Sequence, residues 1–392
     1  MNVLYLVEYF PNRKDLYSGY FIKEQLQSLS RYVNPYIITW FNLFPSVTSR
    51  LFRYIPRSSA PLFDKFQGIP IYRPGYYNIP KIGKIFAPRL MINKIIKNQY
   101  IPLKSIDLIH CHWAYRAGYL GFLLGQILKI PVIITCHGSD VRVDLKRKGL
   151  TGNHTKKALA ECQGIITVSN ELRDYLIAEG ILSTNVTVIH NGVDLNRFSP
   201  ADKNSARTVL NLPKDIFLFL YVGNLYYEKG PDVLIQALRN KDLMDSPLNL
   251  VIIGKGYLEK KLKAEASLIN VDQKIKWIGA VSPDHLPLWY AASDAVVIPS
   301  RREGFSLVSL EALASGRPIV GSNVGIIPTL TKNGLCGQTV SANNSDALAN
   351  GMMEIMNRSW NPENLSQQVT EWGWDQRAKE INSFYHSIES NK

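Results

Sequence analysis

Short, continuously apolar runs alternate with amphipathic stretches along the whole chain. In the first half, Asn2–Val7, Pro35–Trp40, Ile106–His110, Val132–Cys136, Gly164–Val168 and Val186–His190 predict buried strands. In the second half, Ile216–Val222, Leu248–Ile253, Lys274–Ile278, Ala295–Ile298 and Pro318–Gly321 do the same. A helical period marks Tyr20–Ser30, Asn170–Glu179, Gly230–Leu238, Leu258–Ala266, Pro283–Ala291 and Ser306–Ala314. Strands that are apolar throughout, rather than alternating, belong to parallel sheets covered on both faces. The expectation is an α/β chain with two Rossmann-like, doubly wound domains. The polar stretch Asp194–Asn211, with Pro200 and no period, is the expected linker, giving domains at 1–198 and 199–370. Residues 371–392 hold an amphipathic tail helix expected to pack back on the first domain.

The run from Ala117 to Thr135 is almost uncharged, but Gln126, Lys129 and Pro131 interrupt it. It therefore predicts a buried helix and strand, not a membrane span. The opening strand is too short for a signal peptide. Cys111, Cys136, Cys162 and Cys336 have neither disulfide-framework nor zinc spacing, as expected of buried thiols in a reducing cytoplasm.

Charge changes the picture. The net charge is +13 over 392 residues, and residues 1–198 hold all of it, with 25 basic and 12 acidic side chains. Residues 46–105 alone carry 11 basic groups against one acid, Asp64. Within them, Lys81, Lys84, Arg89, Lys94 and Lys97 mix with Ile82, Ile85, Phe86, Leu90, Met91, Ile92, Ile95 and Ile96, and Pro88 interrupts any helix there. That composition suits an anionic membrane surface or an amphipathic helix packed on its own domain. No helix-turn-helix, RNP or zinc signature accompanies it, so nucleic acid is not an expected partner.

The candidate chemistry sits where predicted strands end. Ser300-Arg-Arg-Glu303-Gly304-Phe305-Ser306 leads into a helix bearing Glu311, so two carboxylates could accept bonds from different hydroxyls of one ligand. The plainer alternative is a helix-dipole acid and a surface Glu. Gly223-Asn224 … Lys229-Gly230-Pro231 follows another strand and places a cation at a helix start, suited to phosphate. His137-Gly-Ser-Asp140 ends a third strand, and its His is either a ligand contact or structural. His110 and His112 lack further metal ligands nearby, so no metal is expected. Gly19, in the loop after the first strand, permits close approach of a ligand or merely a turn. Gly254-Lys-Gly256 lacks the third glycine of a dinucleotide fingerprint.

Taken in order, Gly19-Tyr-Phe-Ile-Lys-Glu-Gln, His137-Gly-Ser-Asp, Val168-Ser-Asn, Asn191-Gly-Val-Asp, Val222-Gly-Asn-Leu, Lys229-Gly and Glu303-x7-Glu311 resemble the retaining glycosyltransferases of family 4. The resemblance runs across nearly the whole chain, and the His137 motif looks like the polysaccharide-building branch. It implies a GT-B fold, with the two domains closing on a cleft around residues 191–211. It implies transfer of a hexosyl unit from a nucleotide-diphosphate sugar, with uridine favoured, to a hydroxyl of a glycan or lipid-linked acceptor, with retention. Glu303 would hold donor-sugar hydroxyls, with the backbone of Gly304, Phe305 and Ser306 around sugar and phosphate. Glu311 would bind ribose, Lys229 would neutralise the diphosphate, the Gly19 loop would cover it, and His137 would contact the sugar. No cofactor is implied, and the location would be cytoplasmic with peripheral contact at the membrane's inner face. The family usually has Arg at Asn224 and often Glu at Thr329, which puts diphosphate affinity in doubt. A non-catalytic nucleotide-sugar binder, a GT-B epimerase or a phosphorylase would share these features.

Overall fold

A computed structural model describes residues 1–12, 15, 17–43, 61–77 and 83–390. The chain divides into two units, Met1–Asn191 with Trp374–Lys392, and Gly192–Gly373. Both are Rossmann-like parallel-sheet units, the fold class that the apolar runs predict.

In the first unit the strands are β1 (Asn2–Val7), β2 (Asn34–Ile38), β3 (Phe41–Leu43), β4 (Phe63–Phe66), β5 (Ile69–Tyr72), β6 (Gly75–Tyr77), β7 (Leu108–His112), β8 (Val132–Cys136), β9 (Gly164–Thr167) and β10 (Val186–Val188). Eight of them form a sheet in the order β10-β9-β8-β7-β1-β2-β5-β4, antiparallel only at its β4 edge. β3 and β6 pair separately. β1, β7 and β8 lie at its centre, and β7 and β8 are buried at every position. That is why their sequences do not alternate. The strand order reverses between β1 and β7, so the loops after those two strands diverge.

The helix Trp374–Ser390 belongs to this unit. Trp374 Nε1 donates to Glu24 Oε2 at 3.0 Å, and Ala378, Ile381 and Tyr385 join the core around β1 and the helix Tyr20–Leu29. A second helix, Gly83–Ile96, runs through Pro88, contrary to the interruption expected there. Proline removes one hydrogen bond, but burial of Met91 and Ile95 holds the segment helical. Residues 44–60 of the basic stretch, with Arg50, Arg53 and Arg57, and also Lys81 and Ile82, lie outside the described residues. Arg73 is 5% exposed, so it drops out of any membrane-facing set. The four cysteines are buried.

The second unit has β11 (Phe217–Val222), β12 (Leu248–Ile253), β13 (Ile275–Gly279), β14 (Ala295–Ile298), β15 (Ile319–Ser322) and β16 (Gly337–Val340). Their order is β13-β12-β11-β14-β15-β16, all parallel, so the direction of winding switches between β11 and β14. In such sheets ligands lie outside the carboxyl ends of the strands at the switch point.

The expected linker is partly ordered structure. Lys203–Val209 is a helix whose N-cap, Asp202, accepts the Ser205 N–H at 2.7 Å. It is too short to show a period, and its buried face is Ala206 and Arg207. Arg207, 1% exposed, donates Nε to the Ala292 carbonyl at 2.9 Å and Nη1 to those of Lys214 and Ile216 at 2.8 and 3.0 Å. Its Nη2 pairs with Asp294, which also accepts the Leu218 N–H at 2.7 Å. Removing one partner of a buried pair leaves the other charge and its carbonyls poorly satisfied. Arg207→Met is therefore expected to lower unfolding stability by about 3 kcal/mol in urea denaturation. A loss under about 0.5 kcal/mol, the scale of an ordinary surface substitution, would contradict this account.

Candidate active site

In the second unit the loops after β11 and β14 meet at the switch point. Lys229 Nζ lies 2.8 Å from both carboxylate oxygens of Glu303. Glu303 is 8% exposed, and Ser300 donates its hydroxyl to Glu303 Oε1 at 2.7 Å. The close approach depends on Gly230, at φ 62°, where a Cβ would lie 2.0 Å from the Pro299 carbonyl oxygen. Arg301 locks the two loops. Its Nη1 and Nη2 each reach an oxygen of Asp232 at 2.7 Å, Nη1 also bonds the Tyr227 carbonyl at 2.8 Å, and its backbone N–H bonds the Glu228 carbonyl at 2.8 Å. Burial works against ionisation of Asp232, but the Arg301 fork outweighs it and holds that carboxyl below its ordinary range.

Glu303 leads into the helix Leu307–Ala314. Ser306 stands at its N-cap but makes no capping bond, and its buried Oγ has no hydrogen-bond partner among the described residues. Phe305 is buried, 6.2 Å from the Trp372 ring. Gly304 completes the turn before them. Glu311, about one turn into that helix, accepts the Tyr290 hydroxyl on Oε2 at 2.7 Å. Burial raises the Glu311 pKa, against the pull of that hydrogen bond and of Arg197. Asn224 is exposed, and its carbonyl accepts the Tyr221 hydroxyl at 3.0 Å. Lys229 and Glu303 thus meet at one switch point, Ser306 stands three residues on at the start of the helix, and Glu311 is held separately by Tyr290.

The first unit carries its own cluster. The His112 and His137 rings lie nearly in one plane, with His112 Nδ1 3.0 Å from His137 Nε2. His110 stacks on His112 at 4.7 Å and bonds Tyr385 through Nδ1 at 2.6 Å and Thr135 through Nε2 at 2.7 Å. The two histidines of the apparent metal pair are engaged in this network. Asp140, 1% exposed, accepts the N–H groups of Ala114, His137 and Gly138 at 3.0, 3.1 and 2.9 Å, fixing the His137 turn. Burial outweighs those donors and pushes the Asp140 pKa up to about 6. Trp113, at φ 73° just past β7, brings its ring to 4.9 Å from His137 and 5.3 Å from Tyr9. A bulky residue in that region is strained, and such strain clusters at functional sites. Gly19, at φ 71°, is required because a Cβ there would sit 2.0 Å from the Tyr9 carbonyl oxygen.

Sequence reasoning did not single out Ser300, Tyr290, Asp232 or Arg301 for a role. Ser300 was signalled by its place three residues before Glu303. Tyr290 had no signal, because its helix reads as plain core.

A model of the family described as Glycosyl transferases group 1 matches residues 202–372, and one described as Glycosyltransferase Family 4 matches residues 10–197. An uncharacterized glycosyltransferase of Methanocaldococcus jannaschii is 30% identical, over 83% of this chain and 86% of its own. A Bacillus subtilis glycosyltransferase, provisionally assigned to teichuronic acid biosynthesis, is 28% identical over 84% of this chain and 83% of its own. The structure of Anabaena HepE in complex with UDP superposes with a TM-score of 0.75 at 18% identity, over 99% of this chain and 100% of that one.

Burial pushes the His110 pKa down to about 3 and lowers those of His112 and His137. Each folded histidine stays neutral where the unfolded chain begins to protonate. Its contribution is complete above the ordinary value of 6.5 and is lost as pH falls below it. Asp140, from about 6 down to its ordinary 3.8, acts the opposite way together with Asp144 and Glu311, while His154 and His190, also lowered by burial, act with the three histidines. Urea midpoints are therefore expected to fall between pH 7 and pH 5, and His110→Gln to flatten that slope. A midpoint independent of pH would contradict the neutral histidine stack.

Proposed function

Since the chain belongs to the glycosyltransferases, we propose that it moves a hexosyl unit from a nucleotide-diphosphate sugar, a UDP-sugar in preference, to a hydroxyl of a glycan or lipid-linked acceptor. The observation that carries this reading is the contact of Lys229 with both carboxylate oxygens of Glu303 at the switch point of the second sheet. HepE, solved with UDP, supports the choice of nucleotide.

The chemistry is a charge problem. The bond from the anomeric carbon to the diphosphate breaks, and a bond to the acceptor oxygen forms. The carbon becomes oxocarbenium-like while negative charge grows on the leaving group. Lys229 and the N–H groups at the start of Leu307–Ala314 stabilise that charge. The acceptor proton passes to the leaving phosphate, with retention at the anomeric carbon. Glu303 accepts hydrogen bonds from donor-sugar hydroxyls once Lys229 turns to phosphate, and Ser300 keeps its carboxylate in place. Gly304, Phe305 and Ser306 surround sugar and phosphate, Glu311 takes the ribose through the oxygen that Tyr290 leaves free, and Asn224 adds a neutral hydrogen bond where a cation is usual. His137 donates to or accepts from a sugar hydroxyl as a neutral ring, and the Gly19 loop covers the diphosphate.

The product belongs in cell-surface polysaccharide synthesis, a reading that the Bacillus subtilis relative supports. No helix of the described residues is long and apolar enough to cross a membrane. Leu90 and Ile96 are 52% and 43% exposed on the helix Gly83–Ile96, beside exposed Arg89 and Lys97. This face docks on anionic lipid at the membrane's inner surface and meets a lipid-linked acceptor.

Three experiments test these assignments. Lys229→Ala and Glu303→Ala are each expected to lose roughly 10²–10³-fold in transfer while remaining folded. Full activity in either would sink the site assignment. A thermal-shift screen should show stabilisation by UDP-sugars, about 2.7 kcal/mol at a hundredfold excess over Kd, above that by GDP-sugars. In co-sedimentation the chain should bind anionic vesicles, with Leu90→Ser and Arg89→Ser together weakening it. Equal binding to neutral and anionic vesicles would count against the docking face.

A further inference from the structure

One buried ring in the first unit is left with a bond unmade. His112 closes β7 and is 0% exposed. Its Nδ1 stands 3.0 Å from His137 Nε2, while its Nε2 has no partner among the described residues. A neutral imidazole carries one N–H and one lone pair. An N–H on Nε2 would be a buried donor with no acceptor, which costs more than a bare lone pair. The proton therefore belongs on Nδ1, inside the 3.0 Å contact. A second proton would create the same orphan and a buried charge besides. Burial accordingly holds His112 well below its ordinary pKa and pushes His137 down to about 3.

With His112 Nδ1 donating, His137 Nε2 must accept, so the single N–H of His137 lies on its own Nδ1. No described residue bonds His137 Nδ1, and the ring is only half-buried, so this is the nitrogen left for a ligand. The ring is held in place. Trp113 and Phe21 pack against it at 4.9 and 5.1 Å, and Asp140 pins the turn beneath it through the His137 and Gly138 N–H groups. His110 differs. Both its nitrogens meet hydroxyls, of Tyr385 and Thr135, which can give or take a proton, so neither contact fixes its tautomer.

We propose that His112 is a positioning residue: its Nδ1–H holds His137 in the Nδ1–H tautomer, so that His137 presents a hydrogen-bond donor to an accepting oxygen of the bound sugar. Of the two roles open to a neutral His137, donor and acceptor, this selects the donor. The proposal rests on the transfer reaction above for the sugar as ligand, but not for the tautomer itself.

Two-bond proton–nitrogen NMR spectra of the full chain with isotopically labelled histidine, recorded without ligand, test it. Signals missing in His137→Gln and in His112→Asn assign the two rings, and both rings should show the pattern of an Nδ1–H imidazole. Transfer assays supply the second arm. His112→Phe keeps a ring in the stack but has no donor, and should lower kcat about tenfold with the KM for the nucleotide sugar changed less. His112→Asn returns an N–H close to the place of Nδ1 and should recover part of that loss. A His137 ring protonated on Nε2 in the unaltered chain, full kcat in His112→Phe, or His112→Asn no better than His112→Phe overturns the proposal. An unaltered chain that shows both Nδ1–H rings but transfers no sugar would strike the transfer reading and uphold the tautomer.

Discussion

The ion pair between Lys229 and Glu303 is the constraint around which the second unit is arranged. Two oppositely charged side chains from different loops stand 2.8 Å apart where the sheet changes its direction of winding. Neither loop alone would hold that geometry. Gly230 lets one loop pass over the Pro299 carbonyl, Arg301 ties both together, and Ser300 fixes the carboxylate. Lys229 remains 35% exposed while Glu303 is 7% exposed at the side chain, so the cation is the partner that can leave. Under the proposed reaction this asymmetry is useful, because a diphosphate can recruit Lys229 while Glu303 stays behind for sugar hydroxyls. With Asn224 where a second cation is usual, the exchange matters more.

The first unit solves a different problem. Its histidines are kept neutral by burial and by one another, and Asp140 spends its acceptors on three backbone N–H groups. His137 is thereby a fixed hydrogen-bonding surface. The helix Trp374–Ser390 contributes Tyr385 to the same network, so the end of the chain supports residues near its beginning.

Much of this was legible in the sequence. Strands such as Asn2–Val7, Val132–Cys136, Leu248–Ile253 and Ala295–Ile298 fall where continuous apolar runs place them, because central parallel strands bury both faces. The edge strand Phe63–Phe66 and its neighbour Ile69–Tyr72 went unread, because the first is only partly buried and carries Asp64 and Lys65, and the second is four residues long and interrupted by Pro70. The helix Lys203–Val209 hid inside a polar stretch, since its burial is achieved by an arginine. Lys229 and Glu303 stood out as residues, but their direct contact is a product of strand order, which spacing along the chain does not encode. Ser300, Tyr290 and Arg301 act through partners 3, 21 and 69 positions away, and the longer the separation the less a linear pattern reveals.

The account's central claim is that the donor binds at the switch point of the second sheet by breaking the Lys229–Glu303 pair. A crystal structure of the chain with a non-hydrolysable UDP-sugar tests this most directly. The predicted result has a phosphate oxygen within hydrogen-bond distance of Lys229 Nζ and a sugar hydroxyl on Glu303. A nucleotide bound elsewhere, with the pair still intact at 2.8 Å, would contradict it.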